Sequence, residues 1–230
     1  MEFVFTQPQA AVPVEGTSQL FPVHRIYCVG RNYVEHAKEM GNTGREAPFF
    51  FLKPADAVLP IADGSIGEMA YPSQTKDLHH EIELVVALGS GGKNIPAAEA
   101  VKHIYGYAVG LDMTRRDLQA EAKKLGRPWC TGKGFDQSAP ISTIRPISAT
   151  GEIAQGPIQL SVNGQPRQKG DINQLIWSVA ETIEQLSSFF ELRAGDLIFT
   201  GTPAGVGAVV AGDLLEGSVE GVGELRLRLV

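Results

Sequence analysis

Cysteine is scarce in this chain of 230 residues: there are two, Cys28 and Cys130. Two fit no zinc spacing and build no disulfide framework, so both are expected to act as small buried hydrophobes in a reducing compartment. No apolar run approaches the ~20 residues that span a bilayer. The N-terminus, Met1 to Pro8, lacks the basic start and apolar stretch of a signal peptide. Together these absences predict a cytoplasmic protein with no membrane partner. Basic charge is also short, with 20 Lys and Arg against 26 Asp and Glu and a formal net charge of -6. No basic stripe gathers the charge that nucleic acid binding needs, so no nucleic acid partner is expected. One local cluster, Arg115, Arg116, Lys123, Lys124, Arg127 and Lys133, either meets an anionic small molecule or is a solvated helix face. There is no internal repeat, no low-complexity segment and no shift of composition. Residues 1–230 therefore read as a single domain, with 1–22 an N-terminal strand or arm.

What the chain does have is 26 Gly and 14 Pro spread throughout and 43% hydrophobic residues, enough for one core of ordinary size. The many turns predict a mostly β fold with a few helices (α+β). Strands are expected at 26–29, 49–52, 81–88, 107–112, 158–162, 197–200 and 224–230. Asn163-Gly164 is the dipeptide of a tight type I′ hairpin turn. Near the C-terminus Leu225, Leu227 and Leu229 alternate with Arg226 and Arg228, which predicts one buried face. A capping box at Asn32 to Glu35, with Gly41 as a C-cap, predicts a short helix. A second helix is expected from a Thr114 cap to Gly126, with Leu118, Ala122 and Leu125 packing inward and Arg116, Gln119 and Lys123 on another face. A third is expected over about 172–189.

The chemistry starts at Glu81-Ile82-Glu83-Leu84-Val85-Val86-Ala87-Leu88, an apolar run interrupted by two glutamates. Alternation places Glu81 and Glu83 on one side, with Cα atoms roughly 6.6 Å apart. Such a pair is either the solvated face of an edge strand or a site where a cation or a proton relieves the repulsion. A second strand-like run ends in Asp112. Three strand carboxylates without a thiolate suit a hard divalent ion such as Mg2+ or Mn2+. His36 and Glu39, at i,i+3 on the short helix, are either surface decoration or an imidazole held by a carboxylate for activating water. Lys133 lies between Gly132 and Gly134, either as an ordinary loop lysine or as an ammonium brought close to a ligand. The segment from Thr200 to Gly207 lacks the Lys of a P-loop and reads as a tight loop presenting amides and a hydroxyl.

Taken in order, six stretches resemble the fumarylacetoacetate hydrolase family. They are Val29-Gly30-Arg31-Asn32-Tyr33 with His36 and Glu39; Phe51-Leu52-Lys53-Pro54; His79-His80-Glu81-Ile82-Glu83-Leu84; Leu111-Asp112-Met113-Thr114 with Arg116; Lys133; and Thr200 to Gly207. The likeness runs from about residue 24 to the C-terminus and is to the short, single-domain members. Residues 46–56 look most like the bacterial members that cleave acylpyruvates, fumarylpyruvate among them. The resemblance implies a mixed β-sheet roll, assembly as a homodimer, and Mg2+ or Mn2+ held by Glu81, Glu83 and Asp112. It implies His36 and Glu39 as a water-activating dyad on a segment, about 34–48, that orders as a lid over a small keto-acid substrate. Lys133 and Arg116 would face that substrate, with Lys53, Gln119 and Thr202 carried over beside them. Larger members place an acid near Asn32; here the neutral Asn32 is expected to cap the helix, leaving water to complete the metal site.

The reaction this implies is hydrolysis of the carbon–carbon bond of an acylpyruvate. Lys133 and Gln119 would stabilise the oxyanion, and Arg116 or Arg31 would meet a second carboxylate. The same site suits oxaloacetate decarboxylation or isomerisation of a diene-dioate. A cupin-like iron site built on His79, His80 or His103 is disfavoured, because neighbours on a strand point to opposite faces. A keto-acid binder without turnover would not need His36, Glu39 and Lys133.

Overall fold

The strand expected at 81–88 is buried on both faces over Ile82–Leu88, and the fold is built around it. In the computed structural model, which describes residues 3–34 and 45–230, Ile82–Leu88 is wholly buried. It lies inside an eight-stranded mixed sheet ordered Phe49–Lys53, Ile26–Gly30, Leu197–Phe199, Ile82–Leu88, Ile104–Leu111, Ala139–Ser142 and Val58–Ile61, with Arg145–Pro146 pairing Ile104–Leu111 at the side. Ile82, Leu84, Val86 and Leu88 face one apolar layer. Val85 and Ala87 face the other. Burial on both sides explains why the sequence here is almost continuously aliphatic rather than alternating.

A five-stranded sheet covers the first layer, in the order Gln165–Asp171, Pro157–Val162, Leu214–Val219, Gly223–Leu229 and Gly67–Met69. Leu160, Leu215, Leu225 and Leu227 carry its inner face. Leu225, Leu227 and Leu229 are buried and Arg226 and Arg228 half-buried, as the alternation requires. Asn163 and Gly164 turn the hairpin between Val162 and Gln165 with φ of 51° and 73°, the left-handed pair of a type I′ turn. The second layer is closed by the N-terminal arm, a hairpin of Ala11–Pro13 and Leu20–Pro22 that contributes Val12, Phe21 and Val23. The fold is mostly β, a curled mixed sheet with few helices.

Three local expectations need correction. The helix expected over 172–189 is two pieces, a 3-10 turn Ile172–Gln174 and an α-helix Val179–Phe189 capped by Ser178 and Glu181. The interruption comes from residues remote in sequence. Ile176 N–H donates to Asn32 O at 2.8 Å, and Trp177 N–H donates to Asn32 Oδ1 at 2.8 Å. Asn32 Nδ2 in turn donates to Trp177 O and Thr200 O at 2.9 and 2.8 Å. Its expected capping role falls on residues outside those described, as do His36, Glu39, Gly41 and most of the 34–48 segment.

The second helix runs Arg116–Lys124, and Thr114 does not cap it. Thr114 belongs to a short strand whose partner is Leu78–His80, and its hydroxyl donates to Asp112 O at 3.0 Å. The helix turns Gln119 and Ala122 inward, whereas Leu125 is 50% exposed. Gln119 displaces the expected apolar stripe because polar partners await it inside. Cys28 is buried as expected but Cys130 is exposed, at the start of the helical turn Cys130–Lys133.

Candidate active site

Backbone pairing brings the three acids together. Glu81 lies in the break between Leu78–His80 and Ile82–Leu88, and its carbonyl accepts the Asp112 N–H at 2.8 Å. Two residues on, Glu83 stands opposite Gly110 in the same antiparallel ladder. The carboxylates of Glu81, Glu83 and Asp112 place oxygens within 4.8 Å of one another, and all three residues are buried. A solvated edge strand is thereby excluded: Glu83 sits on an interior strand of the eight-stranded sheet and Glu81 directly precedes that strand, both buried.

Three cations surround the trio. Lys133 Nζ donates to Glu81 Oε2 at 2.8 Å, to Asp112 Oδ2 at 2.6 Å and to Thr114 Oγ1 at 2.7 Å. Arg116 donates from Nη2 to Glu81 and from Nη1 to Gln119 Oε1, the latter at 2.6 Å. Lys53 Nζ lies 2.7 Å from Asp112 Oδ1, and donates to the backbone oxygens of Met113 and Lys133. Lys53, expected beside the substrate, instead lies against Asp112, buried and outside the lining of the cleft. Burial on its own would push the Lys133 ammonium down, but Asp112 and Glu81 more than offset this and hold its pKa above the ordinary value. Burial, and then the charges of Asp112 and Glu81, push Glu83 well above the usual carboxylate range.

Glu83 is relieved mainly by the Gly201 N–H, which donates to Oε2 at 2.7 Å. This is the amide expected from the 200–207 loop. It requires glycine, since Gly201 has φ +104° and a Cβ there would lie 2.7 Å from Asn32 Cβ. The donor set fits a hard divalent cation: among the described residues it is three carboxylates with no sulfur, and a buried Asp112 Oδ1 that makes no aligned hydrogen bond although Lys53 is near.

Above the trio opens a cleft. Arg31, Arg116, Gln119, Lys133 and Thr202 line it together with the acids, so five of the expected substrate-facing residues do converge. Arg31 has φ +55° and its guanidinium lies over the Phe49 ring, 5.6 Å from the centroid. Of the other members of the basic cluster, Lys123, Lys124 and Arg127 are exposed and Arg115 is half-buried over the Phe135 ring, 4.4 Å from its centroid; none of the four lines the cleft.

Sequence reasoning missed several contributors. Phe49, Phe51 and Trp129 form an aromatic wall, with ring centroids 5.5 and 5.7 Å from Trp129. Phe49 and Phe51 share a face of one strand by period 2, a signal that was available, whereas Trp129 had none. His79 is a bracket rather than a ligand. Arg116 Nε approaches its Nδ1 at 3.4 Å, and its Nε2 bonds Asp77 Oδ1 at 2.8 Å. Burial, then the Arg116 charge, lowers the His79 pKa, which keeps that acceptor in its neutral form.

A family model described as fumarylacetoacetate (FAA) hydrolase C-terminal matches residues 25–230. The chain belongs to the fumarylacetoacetate hydrolase family. Within that family it is 47% identical over 182 residues to a fumarylpyruvate hydrolase of a Ralstonia species, covering 79% of this chain and 92% of that one. It is 43% identical to a mitochondrial oxaloacetate tautomerase of Rattus norvegicus, covering 89% of this chain and 90% of that one. The crystal structure of fumarylpyruvate hydrolase from Pseudomonas aeruginosa in complex with Mn2+ and pyruvate superposes with a TM-score of 0.98. The identity there is 56%, covering 100% of this chain and 99% of the other.

Proposed function

We propose that this protein is a divalent-metal-dependent hydrolase that cleaves an acylpyruvate, fumarylpyruvate best, to fumarate and pyruvate. The observation that carries this is the buried carboxylate trio ringed by Lys133, Arg116 and Lys53. It occurs in a chain 56% identical along its length to a fumarylpyruvate hydrolase solved with Mn2+ and pyruvate. Three acids and three bases nearly cancel. A divalent ion held by Glu81, Glu83 and Asp112 would act as Lewis acid and template for the keto acid, and would leave the site positive for a dianionic substrate.

The chain's own groups then divide the work. Arg31, rather than Arg116, receives the distal carboxylate. Arg116 is already bonded to Glu81 and Gln119, while Arg31 lines the cleft with a buried Nε that has no partner among the described residues. The Phe49–Phe51–Trp129 wall offers a flat surface to a conjugated acyl chain. His36 and Glu39, whose placement lies outside the described residues, are assigned the removal of a proton from water. The water adds to the distal carbonyl, and the carbon–carbon bond breaks with its electrons passing to the pyruvate fragment, which takes up a proton. Lys133 and Gln119, which line the cleft beside the acids, are assigned donation to the oxygen that becomes charged; loss of one such donor commonly costs about 2.7–4 kcal/mol of barrier. All three protons of Lys133 already have acceptors, so a cation that shares the carboxylate charge would free it for this task. The enzyme is taken as one catalytic domain, 1–230, acting as a homodimer in the cytoplasm.

A second reading keeps the site and moves only a proton, as suits the 43% identity to an oxaloacetate tautomerase; oxaloacetate decarboxylation or diene-dioate isomerisation would use the same cleft. One panel separates them: fumarylpyruvate, acetylpyruvate and oxaloacetate assayed with Mg2+ and with chelator. Hydrolysis should be fastest on fumarylpyruvate and vanish with chelator. Arg31→Ala should lower kcat/KM for fumarylpyruvate by about tenfold or more, as for a lost charged contact, and leave acetylpyruvate little changed. Turnover of oxaloacetate alone would overturn the hydrolase reading.

A further inference from the structure

One buried polar network reaches the cleft from a strand that contributes nothing else to it. Gln168, in Gln165–Asp171, is buried, and its amide is bonded at every position. Oε1 accepts the Ile82 N–H at 3.1 Å and lies 2.8 Å from His80 Nδ1. Nε2 donates to Pro203 O at 2.8 Å and to Thr202 Oγ1 at 2.7 Å.

Two of these partners have a fixed sense. A backbone N–H only donates and a carbonyl only accepts, so the amide cannot be turned over. His80 must therefore carry a proton on Nδ1, and its buried Nε2 has no partner among the described residues. Thr202 Oγ1 must accept from Gln168, so its own proton points elsewhere, and no described residue takes it. Thr202 lines the cleft beside the carboxylates.

The backbone supports the same arrangement. Leu160 pairs with Gln168 and Ser161 with Pro166, which leaves Arg167 as an unpaired bulge residue. Bulges of this kind re-aim the neighbouring side chain. Gly205 seats the 200–207 loop against that bulge: its φ is +92° and a Cβ would lie 2.1 Å from Arg167 O.

We propose that Gln168 is a positioning residue: by donating to Thr202 Oγ1 it turns the hydroxyl proton of Thr202 into the cleft, where it is donated to a carboxylate oxygen of the keto acid. This rests on the keto-acid reading above. Titration of oxalate, which mimics an α-keto acid, into Mg2+-loaded protein reads the contact without turnover. Gln168→Glu keeps the shape but presents an oxygen to Thr202 and draws its proton away. Oxalate affinity should fall about tenfold or more, the loss of a bond to a charged acceptor. Gln168→Met, which adds no charge to the core, should weaken binding severalfold. In a Thr202→Val background neither change should lower affinity further, because the hydroxyl they act through is gone, whereas a merely structural role would still lower it. Wild-type affinity in both single variants, or an equal loss in the Thr202→Val background, overturns the proposal. Wild-type protein that binds oxalate yet leaves fumarylpyruvate intact would instead remove the substrate assignment and leave this contact standing.

Discussion

Lys53 shows how much a single side chain can be misjudged from its place in the sequence. It ends an edge strand, where a lysine is ordinarily solvated, yet it is 2% exposed and its ammonium lies 2.7 Å from Asp112 Oδ1. Removing one member of a buried pair strands the other charge, typically at about 3–5 kcal/mol. Lys53→Met should therefore lower the Tm by roughly 6–20 °C in a protein of this size. Calorimetry without added metal is the measurement, and an unchanged Tm would show that the contact contributes nothing. The three acids were legible at this scale because strand alternation and an apolar surround left them few alternatives. Gln119, Thr114 and Gln168 were not. A polar residue reads as solvated unless its partners are known, and those partners come from distant segments. The spacing of Thr114 to Asp117 imitates a helix cap, but its hydroxyl accepts from Lys133 and donates to Asp112 O inside.

Elements were legible where burial alone decides them. Ile82–Leu88, Pro157–Val162, the Asn163-Gly164 turn and the final strand follow from apolar periodicity and turn chemistry. The expected 172–189 helix failed for a reason no local pattern carries: Asn32, some 140 residues upstream by its separation of 145 from Trp177, holds Trp177 by N–H and C=O and interrupts the helix. The same side chain ties down Thr200 at the start of the 200–207 loop. Asn32→Ala would leave two carbonyls and one N–H without this partner, so a loss of at least about 2 kcal/mol is expected. KM for the keto acid should rise as well, because Gly201 and Thr202 follow directly. Asn32→Asp should not rescue, since it keeps the acceptor for Trp177 and lacks both donors. Thermal melts beside steady-state kinetics would check this, and a variant with lowered Tm but native KM would separate the helix break from the loop.

For the whole molecule, the arrangement that matters is a sheet whose centre carries clustered negative charge. Packing an acidic trio between two apolar layers is tolerable only if the charge is matched, and the described cations match it without surplus. Glu83 bears the strain, with burial raising its pKa in the folded chain. A carboxyl whose folded pKa is raised favours the folded state when protonated. Its contribution is thus fully present below the unfolded pKa and is lost as pH rises through the folded value. Metal binding has the opposite slope, because the ligands must be deprotonated. Without metal, the protein should therefore lose stability as pH rises above the ordinary carboxylate range, and Mg2+ or Mn2+ should restore it, more strongly at high pH than at low. At an ion concentration of about 100 times Kd the gain is about 2.7 kcal/mol, or roughly 5–10 °C in Tm for a chain of this length. Paired melts with Mn2+ and with chelator across pH 5.5 to 8.5 read both slopes at once. Glu83→Gln should flatten both, since it removes the titrating group and one ligand together. Curves that coincide with and without metal at every pH would mean that the trio holds no cation, and that its repulsion is managed by Lys53, Lys133 and Arg116 alone.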